Sequence, residues 1–337
     1  MSEVVDGFAS SQDGMNWRIV PGDCVESLRS LPDGCVQTCI TSPPYYGLRD
    51  YGHEGQIGLE ESPQEYVARL VEVFREVRRV LRDDGTLWLN LGDSYAATQR
   101  TYGRMDQEWR GSLDGHGGPR DSFRADIGNA KPKDLLGIPW MVAFALRDDG
   151  WFLRSEIIWA KPNPMPESVT DRPTKAHEQV FLLAKSPRYF YDADAVREEN
   201  TPDMLLRASR GHVRGGGVRD ASRNDATRLV GGPVDSAGRN KRTVWTVATQ
   251  PFSGAHFAVF PPKLIEPMVL AGSAEGDTVL DPFAGSGTTG MVALRHGRSF
   301  IGCELNREYV ELARRRIVDD APLLNTSAEV ERDARVR

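Results

Sequence analysis

The chain is poor in cysteine and has no long hydrophobic run. Its four cysteines, Cys24, Cys35, Cys39 and Cys303, include no C-x-x-C pair. That spacing argues against a zinc site, and buried free thiols in a reducing cytosol are the expectation. No stretch approaches the roughly 18 consecutive apolar residues of a membrane span. The opening MSEVVDGFASSQDGMNW has neither a basic n-region nor an apolar h-region, so no secretory signal is expected. Positive charge is also short: 42 Lys and Arg stand against 48 Asp and Glu, a net of −6. That excludes a surface coated in cations, but not a local basic groove. What remains is an ordinary soluble composition over 337 residues, enough for one large α/β domain with insertions or for two domains.

Strand-like and helix-like segments alternate along this chain. Trp17–Val20 reads as a strand closed by Pro21-Gly22-Asp23, and Val25–Leu31 as a short helix stopped at Pro32-Asp33-Gly34. Val36–Ile40 is a second strand. Ser62-Pro63 looks like an N-cap with proline at N1, and Tyr66, Val67, Leu70, Val71, Phe74, Val77 and Leu81 follow at helical spacing. Asp83-Asp84-Gly85 is expected to close that helix before strand Thr86–Leu91. Residues 93–133 are polar and glycine-rich, a long loop of the kind that is usually functional or mobile. A helix over Leu135–Leu146 and strands over Trp151–Trp159 and Val180–Ala184 come next. The order resumes with helix Leu264–Ala271, strand Thr278–Leu280, a glycine turn, a helix to Arg295, strand Ser299–Cys303 and helix Tyr309–Val318. The charged tail after Pro322 is expected to be disordered. This alternation predicts a mostly parallel sheet with helices on both faces.

Residues 192–243 break the pattern. Their apolar content falls, and 200–243 hold nine Lys and Arg against four Asp, a local net of +5. A solvated face and a nucleic-acid contact both fit that composition.

Two short motifs carry the chemistry. The first, Thr41-Ser42-Pro43-Pro44-Tyr45-Tyr46, follows an apolar strand. Its paired prolines end the ladder and fix φ, stiffening the backbone between a hydroxyl and an aromatic pair. The second, Asp281-Pro282-Phe283-Ala284-Gly285-Ser286-Gly287-Thr288-Thr289-Gly290, runs from strand through a glycine turn into a helix, and Glu304 closes the next strand. Glycines at 285, 287 and 290 let the backbone approach a ligand, and a carboxylate in that place grips ribose hydroxyls. Dinucleotide enzymes share this pattern. Asp281, however, would repel a pyrophosphate and suits a cationic amino-acid moiety. A ligand with an amine, a sulfonium and an adenosine fits better: S-adenosylmethionine.

Together the motifs resemble a known family. D-P-F-A-G-S-G-T-T-G is similar to the cofactor motif of the amino-group DNA methyltransferases, and T-S-P-P-Y to their catalytic motif. The order of catalytic motif, basic segment and cofactor motif resembles the β group. Pro21-Gly22-Asp23 resembles an element whose acid contacts the cofactor adenine. Ile158–Asn163 and His177-Glu178 resemble later motifs of the catalytic half, and His256–Pro261 an element lining the methionine side. The resemblance implies a Rossmann-like methyltransferase fold: a mostly parallel seven-stranded sheet, circularly permuted, with a target-recognition insertion. It divides the chain into a catalytic half (17–191), a target-recognition region (192–243), a cofactor-binding half (244–320) and a disordered tail (321–337). S-adenosyl-L-methionine is then expected at Asp23, Thr41, Asp281, Phe283, Gly285, Ser286, Gly287, Thr288 and Glu304. The target base is expected at Ser42, Pro43, Pro44 and Tyr45. Arg207, Arg210, Arg214, Arg219 and Arg223 are expected on DNA, through phosphates and some guanine edges. Double-stranded DNA is the implied partner, with a cognate restriction endonuclease as a companion. No metal and no membrane are implied, and the protein is expected as a cytoplasmic monomer or homodimer.

The chemistry explains these residue types. An exocyclic amine is a poor nucleophile because its lone pair is delocalised into the ring. Acceptors aimed at its two N–H bonds favour the pyramidal geometry it needs. Ser42 and the Pro43 carbonyl offer them, and rigid prolines keep them in place. Tyr45 offers a flat face for a base flipped out of the duplex. The absence of a Pro-Cys dipeptide argues against ring-carbon methylation. Solvent can take the amine proton, and His177 is expected to be structural. Serine before Pro-Pro resembles the cytosine-N4 type, and Asp or Asn the adenine-N6 type. Ser42 therefore points to N4-cytosine, with N6-adenine as the alternative. A non-catalytic DNA-binding module would have no need of both motifs intact.

Overall fold

Along Leu87–Leu91 successive side chains bury on opposite faces of a sheet. Leu87, Leu89 and Leu91 join one core, and Trp88 joins the other. Phe181 and Leu183 follow the first core, and Val180 and Leu182 the second. This period of two, apolar on both faces, demands helices above and below.

A computed structural model describes residues 5–8, 16–48, 52–53, 55–96, 130–201, 238–250 and 260–320. Its strands are β1 (Val5–Phe8), β2 (Asn16–Pro21), β3 (Val36–Thr41), β4 (Leu81–Leu91), β5 (Phe152–Ala160), β6 (His177–Ala184), β7 (Val244–Thr246), β8 (Thr278–Asp281) and β9 (Ser299–Glu304). Its helices are α1 (Cys24–Arg29), α2 (Pro63–Val80), α3 (Ile138–Asp148), α4 (Pro262–Gly272), α5 (Thr288–Arg295) and α6 (Arg307–Asp320). One sheet runs β1-β2-β9-β8-β3-β4-β6-β5-β7. The seven strands from β2 to β5 in that order are the expected Rossmann-like sheet, and short strands β1 and β7 extend its edges. Helices α1, α2 and α3 bring Leu28, Leu70, Phe74, Val142 and Leu146 to one face. Helices α4, α5 and α6 bring Leu264, Met268, Val292, Ala313 and Ile317 to the other.

The permutation is visible in the strand order. The late strands β8 and β9 sit between the early strands β2 and β3, paired parallel to both. Strand β6 is antiparallel to β4 and β5.

Several boundaries differ from expectation. Helix α2 starts as predicted, with the Ser62 hydroxyl accepting from Glu65 N at 3.2 Å. It stops at Val80, because Leu81 turns extended (φ −70°, ψ 142°) and pairs with Val36. Thr38 next pairs with Thr86, so Arg82–Gly85 bulge out of the ladder instead of forming the predicted stop. Helix α3 begins at Ile138, since Leu135 bridges to Tyr95 and Gly137 takes φ 75° before the first turn. The expected loop 93–133 is described only at its ends. These are joined by Ala96 N to Asp134 O (2.8 Å) and Lys133 N to Ala96 O (2.9 Å). Residues 97–129, the bulk of the basic segment (202–237) and the tail 321–337 lie outside the described residues. All four cysteines are free, three of them buried. No described helix is long and apolar enough to cross a membrane.

Candidate active site

Strands β2, β9, β8, β3 and β4 are parallel, so their C-terminal ends share one edge of the sheet. The antiparallel β6 begins at that edge, and β5 ends there. This topology alone gathers Asp23, Ser42-Pro43-Pro44-Tyr45, Asn90, Lys161, Glu178, Asp281, Gly285 and Glu304. All of them line one cavity of about 310 Å³. A crevice outside the carboxyl ends of such strands is where open α/β sheets bind ligands.

At the first motif, β3 ends and the prolines carry the chain outward. Pro43 is buried. The Pro44 carbonyl accepts from the buried Tyr66 hydroxyl at 2.8 Å, which pins the turn to α2. Among the described residues none donates to the Pro43 carbonyl. The Ser42 hydroxyl lies 3.4 Å from both Tyr45 Oη and Asn90 Oδ1, to either of which it can donate. Its lone pairs are then left for another donor. Tyr45 Oη is 3.0 Å from Asn90 Oδ1 and 2.7 Å from Glu178 Oε2. Burial, and then the Glu178 carboxylate, push its phenol well above the usual value, so it stays protonated. The ring lies against Gly92: a Cβ there would meet its Cε2 at 2.4 Å. Glu178 Oε1 accepts from Lys161, whose ammonium stands 4.2 Å from the centre of the Trp159 ring.

At the second motif, both Asp281 oxygens are already held. Thr41 Oγ1 donates to one at 2.6 Å and Thr289 Oγ1 to the other at 2.7 Å, and Phe283 N adds a bond at 3.1 Å. Burial pushes this carboxyl up to about 6 against the pull of those donors. Glu304 accepts from Gly285 N (2.8 Å) and Asn306 N (2.9 Å), and burial pushes it up to about 7. Gly285, at φ 50°, faces open space: a Cβ there would meet only the Phe283 carbonyl, at 3.9 Å. Ser286 and Thr288 line the cavity and accept from Arg316.

A DNA methylase family model (N6_N4_Mtase) matches residues 36–315. The chain belongs to this family. The methylase is 48% identical over 298 residues to the Type II methyltransferase M.Cfr9I of Citrobacter freundii, covering 88% of this chain and 86% of that one. It is 44% identical over 302 residues to the Type II methyltransferase M.SmaI of Serratia marcescens, covering 89% and 90%. Two solved structures share its fold. The PvuII DNA methyltransferase, described as cytosine-N4-specific, has a TM-score of 0.57 at 19% identity, covering 91% of this chain and 92% of that one. A DNA modification methylase of Thermus thermophilus, solved with S-adenosyl-L-methionine, has a TM-score of 0.54 at 24% identity, covering 90% and 96%.

Most of the residues expected at the methylase site do line the cavity, but two do not. Thr41 is buried with its hydroxyl on Asp281, so it positions the acid instead of facing a ligand. Gly287 serves packing: at φ 76° it caps α5, and a Cβ would stand 2.8 Å from that of Ala313 on α6. Asp23 reaches the cavity but also caps α1, accepting from Val25 N and Glu26 N. The five arginines expected on DNA lie outside the described residues. Arg239 and Arg242, from the same basic segment, are paired with Glu198. His177 is exposed at the start of β6. Of the 256–261 element, Phe260 lines the cavity and His256–Val259 lie outside the described residues. Asn90 carried no expectation, and Lys161 and Glu178 stood within Ile158–Asn163 and His177-Glu178 without a role of their own. For Asn90 the local signal was an asparagine inside the apolar run Leu87–Leu91.

Proposed function

We propose that this DNA methyltransferase of the N4/N6 family methylates the exocyclic N4 amine of a cytosine flipped out of duplex DNA. The observation that carries the reading is the shared cavity: Ser42 and Gly285 line the same space, although 243 residues separate them. S-adenosylmethionine is the cofactor, and the donor set suits it. Glu304 and Asp23 offer carboxylates to hydroxyls and amines, Asp281 puts an acid near a cationic group, and Gly285 leaves room for close approach. When bound, the cofactor supplies an electrophilic methyl group on a sulfonium.

The residues of the chain do the rest. Ser42 Oγ and the Pro43 carbonyl accept the two N–H bonds of the amine, favouring a lone pair directed out of the base plane. Tyr66 and the prolines keep those acceptors from relaxing. Tyr45 stacks on the base. A neutral serine before Pro-Pro supports cytosine over adenine, and so does the fold likeness to a methyltransferase described as cytosine-N4-specific. The basic segment 192–243, with Arg207, Arg210, Arg214, Arg219 and Arg223, forms the target-recognition region between the catalytic and cofactor-binding halves. The relatives named as Type II methyltransferases support a role in restriction-modification.

The test is transfer of labelled methyl from S-adenosylmethionine to duplex DNA, followed by hydrolysis and nucleoside separation. Label in N4-methylcytosine is expected. Label in N6-methyladenine would overturn the choice of base, and no label in DNA would overturn the reading.

A further inference from the structure

The methyl transfer must release one proton from the target amine. The cavity contains a hydrogen-bonded path for it. We infer that Glu178 accepts this proton, reached from the amine through Ser42 and Tyr45. The inference rests on the amine-methylation reading above.

Proton counting around Tyr45 motivates it. The Asn90 side chain donates through Nδ2 to the Gln179 carbonyl at 3.1 Å, which turns its Oδ1 toward Tyr45. Tyr45 Oη therefore stands between two acceptors, Asn90 Oδ1 at 3.0 Å and Glu178 Oε2 at 2.7 Å, with one proton to give. While Tyr45 donates to Glu178, Asn90 Oδ1 has, among the described residues, only the Ser42 hydroxyl, at 3.4 Å. One added proton on Glu178 Oε2 resolves this. Glu178 then donates to Tyr45, and Tyr45 donates to Asn90. In the resting form Asn90 Oδ1 has only a long bond, and the added proton gives it the shorter one from Tyr45.

The step balances. The amine N–H bond breaks and a bond to Ser42 Oγ forms. The Ser42 proton passes to Tyr45 Oη across 3.4 Å, and the Tyr45 proton passes to Glu178 Oε2. In sum, one N–H bond is lost and one O–H bond is gained. The cationic amine becomes neutral, and so does the carboxylate. Hydrogen bonds of this length in a catalytic site tighten when substrate is bound.

The surroundings of Glu178 fit an acceptor. Lys161, just after β5, engages Oε1 and leaves Oε2 for Tyr45. Lys175, from the segment before β6, is half-buried within electrostatic range of Glu178 and has no partner for its ammonium among the described residues. Tyr45 faces Glu178 from the turn after β3, and β4 contributes the neutral Asn90.

Single-turnover rates of methyl transfer to a duplex oligonucleotide, with cofactor and DNA pre-bound, test this across pH. The wild-type rate should fall at low pH and level off above. Glu178→Gln preserves volume and an acceptor for Tyr45. It should slow the step by about 100-fold and abolish the acid limb. Tyr45→Phe keeps the ring but cuts the path, and should slow the step as much. The double variant should lose no more than either single one, because both remove the same path. Base flipping, read by 2-aminopurine fluorescence, and cofactor affinity should stay unchanged in both. A Glu178→Gln rate within about threefold of wild type would overturn the inference, as would a slow variant that keeps the acid limb. So would additive losses in the double variant, or a loss of flipping that accounts for the whole effect. If Glu178→Gln does not fold, Tyr45→Phe decides, and near-wild-type rates there overturn it. Failure of the amine-methylation reading is separately visible, because the wild type would then put no methyl on a base amine.

Discussion

The Thr41 hydroxyl donates to Asp281 Oδ1 at 2.6 Å, joining residues 240 apart in the chain. Thr41 ends the strand that presents Ser42, and Asp281 ends the strand that leads into Gly285. This one bond, between adjacent parallel strands, locks the Ser42–Tyr45 turn to the glycine loop. Thr41→Val keeps the shape and removes the donor. With the buried Asp281 carboxylate short of a partner, stability should fall by about 1–3 kcal/mol, measured by denaturant unfolding. Cofactor affinity, measured by calorimetry, should fall with it.

Tyr45 depends on a missing side chain. Gly92 lies under its ring, and a Cβ there would come within 2.4 Å of Cε2 and 2.7 Å of Cδ2. Gly92→Ala should displace the ring and slow methyl transfer by about 100-fold, the cost typical of a misplaced reacting geometry. Cofactor affinity should hold. Parallel measurements of turnover and binding check the split.

The two glycines of the turn should separate cleanly. Gly285→Ala places a methyl in open cavity and costs about 1–2 kcal/mol of backbone strain, while cofactor affinity falls more than stability does. Gly287→Ala drives a Cβ into Ala313 at 2.8 Å, so it should cost more stability, about 1–3 kcal/mol beyond the strain. Thermal unfolding with and without cofactor reads both effects.

Two carboxyls should make cofactor binding depend on pH. Burial raises Asp281 to about 6 and Glu304 to about 7. A native carboxyl pKa above its unfolded value means that the native state holds more protons. Stability of the cofactor-free protein should therefore fall as pH rises from about 4 to about 7. A cofactor whose cationic and hydroxyl groups favour the ionised acids should bind more tightly over the same rise and release protons near neutrality. Calorimetry in buffers of different ionisation enthalpy checks the release, and Asp281→Asn should flatten the lower part of the pH dependence.

Much of this was legible in the sequence because it is local. The proline pair after an apolar strand, the glycine turn after Asp281 and the Ser62 cap each declare themselves within a few residues. Residues joined by tertiary contacts did not. Glu178 lies on β6, Asn90 on β4 and Lys161 just after β5, and only the antiparallel placement of β6 between β4 and β5 brings them together. Thr41 was expected at the cofactor, yet alternation turns its side chain inward to Asp281. Gly287 belonged to the glycine pattern, but helix α6 packs against it, a contact no local motif announces. The edge strands β1 and β7, four and three residues long, are too short to show a period.

The proposed methyl transfer requires one cavity that holds the methyl donor beside the amine acceptors. A crystal structure of the protein with S-adenosylhomocysteine tests this most directly. The adenosine is expected between Asp23, Phe283 and Glu304, with the sulfur toward the Ser42–Tyr45 turn and no protein atoms between them. A ligand bound elsewhere, or one whose sulfur is walled off from Ser42, would contradict it.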